Sequence, residues 1–157
     1  MEKHTINPVY NENSKILILG SFPSVKSREA KFFYGHKQNR FWKVVSAVME
    51  CECPDTVEEK KAMLLKNNIA VWDVIKSCDI EGSSDSSIRN VTPNDFTEML
   101  SKTQVKQIFT NGNTAYTLFK RYNPDLEAYK LPSTSPANAA FSLERLIKEW
   151  EVIKDFT

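Results

Sequence analysis

The sequence predicts a three-layer α/β/α fold around a central, mainly parallel four-stranded sheet. Apolar runs of strand length alternate with segments of helical periodicity along the whole chain. The turns between them are marked by Gly, Pro, Asn and Ser. No internal repeat or low-complexity linker breaks the alternation, so residues 1–157 are expected to form a single domain with a sizeable core.

The first strand is expected in "SKILILG", Ser14 to Gly20, a short apolar run that stops at glycine. A long connection follows, "SFPSVKSREAKFFYGHKQ", and loops of that length inside a domain tend to carry function. From Arg40 to Met49, Phe41, Val44, Val45, Val48 and Met49 recur at helical spacing, with Asn39 in the N-cap position. "TVEE", Thr56 to Glu59, reads as a capping box opening a helix through Leu64 and Leu65 that ends near Asn67 and Asn68. Ile69 to Ile75 is the second strand, and "KSCDIEGSSDSSIRN" is expected as loop. "TPNDFTEMLSK" then begins a helix with Thr92 as cap and Pro93 at its first position. "VKQIFT" is strand three, "NGN" a turn, "TAYTLFKRY" a helix and "EAYKL" strand four. The closing helix, "SLERLIKEWEVIKDF", sets Leu143, Leu146, Ile147, Trp150 and Ile153 on one face.

Composition excludes several classes. The polar start "MEKHTINPVYNENSK" lacks a signal-peptide core, and no run approaches the ~18 apolar residues of a membrane span. Cys51, Cys53 and Cys78, with His4 and His36 as the two histidines, do not have zinc-ligand spacing, so neither a metal nor a cofactor is expected. Reduced thiols in a cytoplasmic monomer are the expectation. Net charge is only +1, yet Lys26, Arg28, Lys31, Lys37, Arg40 and Lys43 against Glu29 give +5 between residues 26 and 43. A local basic stripe on a near-neutral chain suits a polyanion touched along one face.

In a parallel α/β sheet, ligands sit beyond the carboxyl ends of the strands. The segments there are "GSFPS", "WDVIKSC", "TNGN" and "LPSTSPAN". The first is no phosphate loop, although Ser21 and Ser24 can donate hydrogen bonds and Pro23 stiffens the turn. Asn111 in "TNGN" can read a base edge, donating to a carbonyl and accepting from a ring N–H. "LPSTSPAN" is stiff, slim and rich in hydroxyls, fit to press into a groove and pinch a phosphate backbone. Taken alone, each segment reads equally well as an ordinary turn.

Their order is more specific. G-S-F-P-S, Y-G-H-K-Q-N-R-F-W-K, N-G-N-T-A-Y and L-P-S-T-S-P-A-N resemble the uracil-DNA glycosylase superfamily, in a similarity that spans residues 14 to 155. The chain is most similar to its hypoxanthine (deoxyinosine) branch, and "NRFWKV" is also similar to the mismatch-specific uracil and thymine glycosylases. The resemblance implies a monofunctional enzyme that flips a deaminated base out of DNA and hydrolyses its N-glycosidic bond. By the same resemblance Asn39 is catalytic, and Gly20, Ser21, Phe22, Tyr34, Gly35, His36 and Asn111 surround the base. Ser24, Ser133, Thr134, Ser135, Pro136 and Asn138 meet the DNA. Relatives commonly carry Asp or Asn where Phe22 stands, and His or Asn where Leu131 stands, so the uracil-type machinery is absent. Lys37 replaces a proline common at its place.

Asn39 is expected to accept a hydrogen bond from the attacking water through its carbonyl oxygen, leaving its amide protons free. Tyr34 is expected to stack on the base. Two alternatives stand beside this reading. One is a uracil, mismatch-specific or xanthine DNA glycosylase of the same fold; the other is an inactive nucleic-acid-binding module.

Overall fold

The computed structural model describes every residue from Met1 to Thr157. The strands are β1 (Glu2–Lys3), β2 (Ile16–Gly20), β3 (Ile69–Asp73), β4 (Ile75–Asp79), β5 (Arg89–Pro93), β6 (Gln107–Asn111) and β7 (Tyr129–Leu131). The helices are α1 (Val25–Ala30), α2 (Phe41–Val48), α3 (Val57–Lys66), α4 (Thr97–Lys102), α5 (Asn113–Tyr122) and α6 (Leu143–Trp150).

The central sheet has the order β3-β2-β6-β7, and every pairing in it is parallel. All five residues of β2 are buried, because the strand is covered on both faces. Ile16 and Ile18 point to one core with Phe41, Val44, Val45, Leu64, Leu146 and Trp150, which places α2, α3 and α6 on that side. Leu17 and Leu19 point to the other core with Met99, Leu118 and Phe119, from α4 and α5. The expected three layers are therefore present. Register sets Gly20 beside Asp73 and Asn111 beside Leu131, so the four strand ends open on one edge of the molecule.

Several elements differ from expectation. The long connection after β2 contains α1, capped by Ser24, whose hydroxyl accepts the Ser27 N–H at 3.1 Å. The second strand stops at Asp73, and the chain turns at Val74 into β4. There it joins β1 and β5 in a separate antiparallel sheet of order β1-β4-β5, where loop was expected. Thr92 and Pro93 do not start a helix; they pair with Ser77 and Ile75 across β4. Proline is tolerated there because β5 is an edge strand. The helix begins at Thr97 instead, and the Asn94 amide secures the joint by donating to the Asp73 and Ile75 carbonyls. Thr56 and Glu59 form the expected capping box. Ser142 caps α6, Leu146 and Trp150 are buried, and Leu143 is partly exposed.

Candidate functional site

At the carboxyl edge of the central sheet lies a cavity of about 350 Å³. Gly20, Ser21, Phe22, Ser24, Tyr34, His36, Asn39, Asn111, Ser133, Thr134, Ser135 and Pro136 all line it, as expected of a common site. Gly35 and Asn138 do not. Gly35 packs against α1, where a Cβ would stand 3.2 Å from the Lys26 carbonyl, and its N–H donates to the Ser27 hydroxyl. Asn138 lies behind the proline-serine loop, its amide donating to the Ser133 carbonyl.

Tyr34 is held as a plate. One face of its ring stacks on Phe41 at 4.0 Å, and the Trp42 indole N–H donates to its carbonyl at 3.2 Å. Its backbone takes φ 51°, a left-handed conformation uncommon for a bulky side chain and found at functional positions. The hydroxyl is buried without a hydrogen-bond partner. Burial pushes the phenol far up from its ordinary range, the Asp73 charge adds to this, and the Asn111 amide offsets part.

Asn39 precedes α2 by two residues, with Arg40 between. Its Oδ1 accepts the Phe41 N–H at 2.9 Å and the Thr134 hydroxyl at 2.8 Å. The carbonyl expected to receive the water is therefore occupied twice, which corrects that part of the mechanism. Asn111 grips Thr134 at two points: its Oδ1 accepts the Thr134 N–H and its Nδ2 donates to the Thr134 hydroxyl, both at 3.0 Å. Thr134 is fully buried, so it supports Asn39 from behind and makes no DNA contact. Ser24 is likewise spent on capping α1, although it borders the cavity. His36 accepts the Gln38 N–H on Nδ1 and gives its carbonyl to the Asn39 N–H, stiffening the turn that delivers Asn39.

Sequence reasoning missed the acidic side of the site. Asp73 and Asp85 both line the cavity. Asp73 is 3% exposed, and its Oδ2 lies 2.8 Å from His4 Nε2. The Ile6 N–H donates to His4 Nδ1, so the imidazole proton sits on Nε2 and points at Asp73. Asp73 Oδ1 has no protein partner. It fits against Gly20 because a Cβ there would collide with it and would also stand 3.2 Å from the Tyr34 hydroxyl. Asp85 accepts the Ser21 hydroxyl at 2.9 Å. The residue as a whole is exposed, while its carboxyl meets Ser21 at the cavity. Desolvation raises its pKa most, the Asp73 charge adds, and the Ser21 bond opposes. The one available signal was that Asp73 ends a strand in a segment already known to face the site.

The rim is built by the proline-serine loop. Arg40 donates through Nη2 to the Ser135 and Asn138 carbonyls at 2.9 and 3.0 Å and through Nη1 to the Phe141 carbonyl. Trp150 donates to the Pro132 carbonyl at 2.9 Å. The basic stripe is correspondingly smaller than expected. Arg40 is turned into this loop, and Arg28 is tied to Glu2 and the Pro23 and Gly82 carbonyls. Lys26, Lys31, Lys37 and Lys43 remain exposed.

Residues 8–157 match the family model of the uracil DNA glycosylase superfamily. A hypoxanthine DNA glycosylase of Methanosarcina acetivorans is 40% identical over 162 residues, covering 98% of each chain. A hypoxanthine DNA glycosylase of Methanosarcina barkeri is 32% identical over 130 residues, covering 82% of this chain and 80% of that one. Among solved structures, the solution NMR structure of a Methanosarcina acetivorans protein provisionally named a uracil DNA glycosylase superposes with a TM-score of 0.80. It is 36% identical and covers 95% of this chain and 94% of its own.

Proposed function

The chain belongs to the uracil DNA glycosylase superfamily, and from that membership we propose that it is a hypoxanthine DNA glycosylase, hydrolysing the N-glycosidic bond of deoxyinosine in DNA. The observation that carries the reading is the make-up of the cavity. An aromatic plate backed by Phe41, an amide pinned at a helix start and a buried carboxylate converge on one space of about 350 Å³. That is the inventory needed to stack, read and release a flipped base.

The base stacks on the free face of Tyr34, a contact worth about 1–3 kcal/mol. Asp73 Oδ1 accepts the N1–H of hypoxanthine; adenine presents a lone pair at the same atom and is repelled. Asn111 spends one Nδ2 proton and one Oδ1 lone pair on Thr134, so its first role is to fix that residue. As the C1′–N9 bond breaks, its electron pair leaves with the purine. Water forms the new C1′–O bond, and the proton it gives up ends on the purine. Asn39 borders the reacting atoms and makes its contribution through positioning and charge stabilisation.

Duplexes carrying one deoxyinosine, deoxyuridine or deoxyxanthosine, treated with alkali after incubation, test this reading. We expect alkali-dependent cleavage at inosine that Asn39→Ala abolishes. The Asp73 acceptor also suits the ring N–H of uracil or xanthine, and cleavage there in place of inosine would give the same fold a different substrate. Binding without cleavage of any substrate would leave a DNA-binding module. One core joins the two sheets, since Ile75 and Cys78 of β4 pack with Leu17 and Leu19 of β2, and this supports reading residues 1–157 as one domain. The exposed Cys51 and Cys53 thiols suit a reducing cytoplasm, and a monomer is expected on gel filtration.

A further inference from the structure

We propose that Thr134 is a positioning residue whose hydroxyl, itself fixed by Asn111, locks the Asn39 side chain with its NH₂ group toward the cavity, so that Asn39 meets the substrate as a hydrogen-bond donor. This rests on the reading above that Asn39 borders the reacting atoms.

The direction of every bond in the chain is determined by groups that have no choice. The Phe41 N–H can only donate, so the atom of Asn39 facing it at 2.9 Å is the carbonyl oxygen. The Thr134 N–H can only donate, so Asn111 turns Oδ1 toward it and Nδ2 toward the Thr134 hydroxyl. That hydroxyl has one proton, and having accepted from Asn111 it sends the proton to Asn39 Oδ1 at 2.8 Å. Both lone pairs of the Asn39 carbonyl are then filled. Reversing the amide would set NH₂ against the Phe41 N–H and deprive Thr134 of its acceptor. Because Thr134 is fully buried, no water can substitute for either partner.

Asn39 lines the cavity, and what remains of its side chain for a ligand there is Nδ2, which has no protein partner. Two N–H dipoles there are matched to the negative charge that builds on the departing purine, and ill suited to draw a proton from water. The cavity's acceptors are instead the carboxylates on its opposite, acidic side. Asn111 thus acts through Thr134 from the end of β6, and the proline-serine loop presets the amide at the start of α2.

Single-turnover cleavage of a deoxyinosine duplex by the full chain, with Thr134→Val, Thr134→Ser and Asn39→Asp beside wild type, tests the proposal. Thr134→Val should lose about 10²-fold in rate while DNA binding holds, and Thr134→Ser, which keeps the hydroxyl, should recover most of it. Asn39→Asp, which sets an acceptor where the donor was, should be inactive wherever its carboxyl is ionised. A wild-type rate for Thr134→Val would overturn the proposal. So would an active Asn39→Asp whose rate climbs as its carboxyl ionises. NMR reads the amide without turnover: in wild type the Asn39 NH₂ protons should shift on adding free hypoxanthine and show no strong cross-peak to the Phe41 N–H. A strong cross-peak, or no shift, would sink the proposal even if inosine proved not to be the substrate, whereas failure of wild type to cleave inosine with the NMR as expected would count against the substrate alone.

Discussion

Asp73 shows how far a single residue can be pinned before substrate arrives. His4 supplies its N–H to Oδ2, and the Ile6 backbone decides which ring nitrogen carries that proton. In Asp73→Asn, His4 would claim the new amide oxygen and turn the NH₂ into the cavity, a donor where the ring N–H of hypoxanthine needs an acceptor. We expect cleavage at inosine to fall by at least about 10²-fold with the melting temperature largely kept, measured by the same duplex assay and by thermal unfolding. Asp85 offers a pH prediction of unusual sign for a carboxylate. Its folded pKa is raised, chiefly by desolvation, so the folded chain holds the proton more tightly than the unfolded one. Its contribution to stability is full below the unfolded pKa and is lost as pH rises through the folded value. Asp85→Asn, which can still accept the Ser21 hydroxyl, should therefore be more stable than wild type at about pH 7. The gain should fade as pH falls through and below about 4, the unfolded value, where both states of the wild type become protonated.

Among the elements, the start of α2 and the proline-serine loop act as one unit because Arg40 joins them. Its guanidinium satisfies the carbonyls of Ser135, Asn138 and Phe141, and its backbone N–H donates to the Thr134 carbonyl at 3.0 Å. A planar fork can serve three carbonyls where an ammonium on a flexible stem cannot. Arg40→Lys should cost about 1–3 kcal/mol in urea unfolding and speed hydrogen exchange of the Asn138 N–H. None of this is visible in the sequence, where Arg40 looked like one more cation for DNA. What the sequence did convey followed from local physics: β2 and β3 are uninterrupted apolar runs, and Thr56 with Glu59 carries its own start signal. The second sheet stayed hidden for the converse reason. β4 mixes buried and exposed residues without strict alternation, β5 buries none of its residues fully, their register shifts, and β1 is two residues long. Such strands exist because of their neighbours, and no window of residues announces that.

Over the whole molecule net charge is only +1, and the basic stretch between residues 26 and 43 is the one that also supplies Tyr34, His36 and Asn39 to the cavity. Of the six cations between residues 26 and 43, Lys26, Lys31, Lys37 and Lys43 are left to solvent, and Lys26 also stands 3.6 Å from Glu29. Each of Lys31, Lys37 and Lys43 that touches phosphate should, when changed to Ala, lower the salt slope of DNA binding by about 1 in fluorescence anisotropy, with inosine selectivity unchanged. Arg28→Ala should act on stability instead, since its side chain is 18% exposed and bonded within the fold. The carboxyl-edge location of the site was legible from strand order alone, and twelve of the expected residues meet there. The acidic half was not, because it needs His4 to be brought across the molecule by a two-residue strand.

That strand bears on where this protein can safely be cut. The shared family signature begins at residue 8, and a chain trimmed to it would keep the whole of that signature. It would nevertheless have lost His4, leaving the buried Asp73 carboxylate without its proton donor and Phe22 without the ring that abuts it at 6.0 Å. Residue 4, which a boundary drawn from the family signature would discard, is here the support of a carboxylate that lines the candidate site.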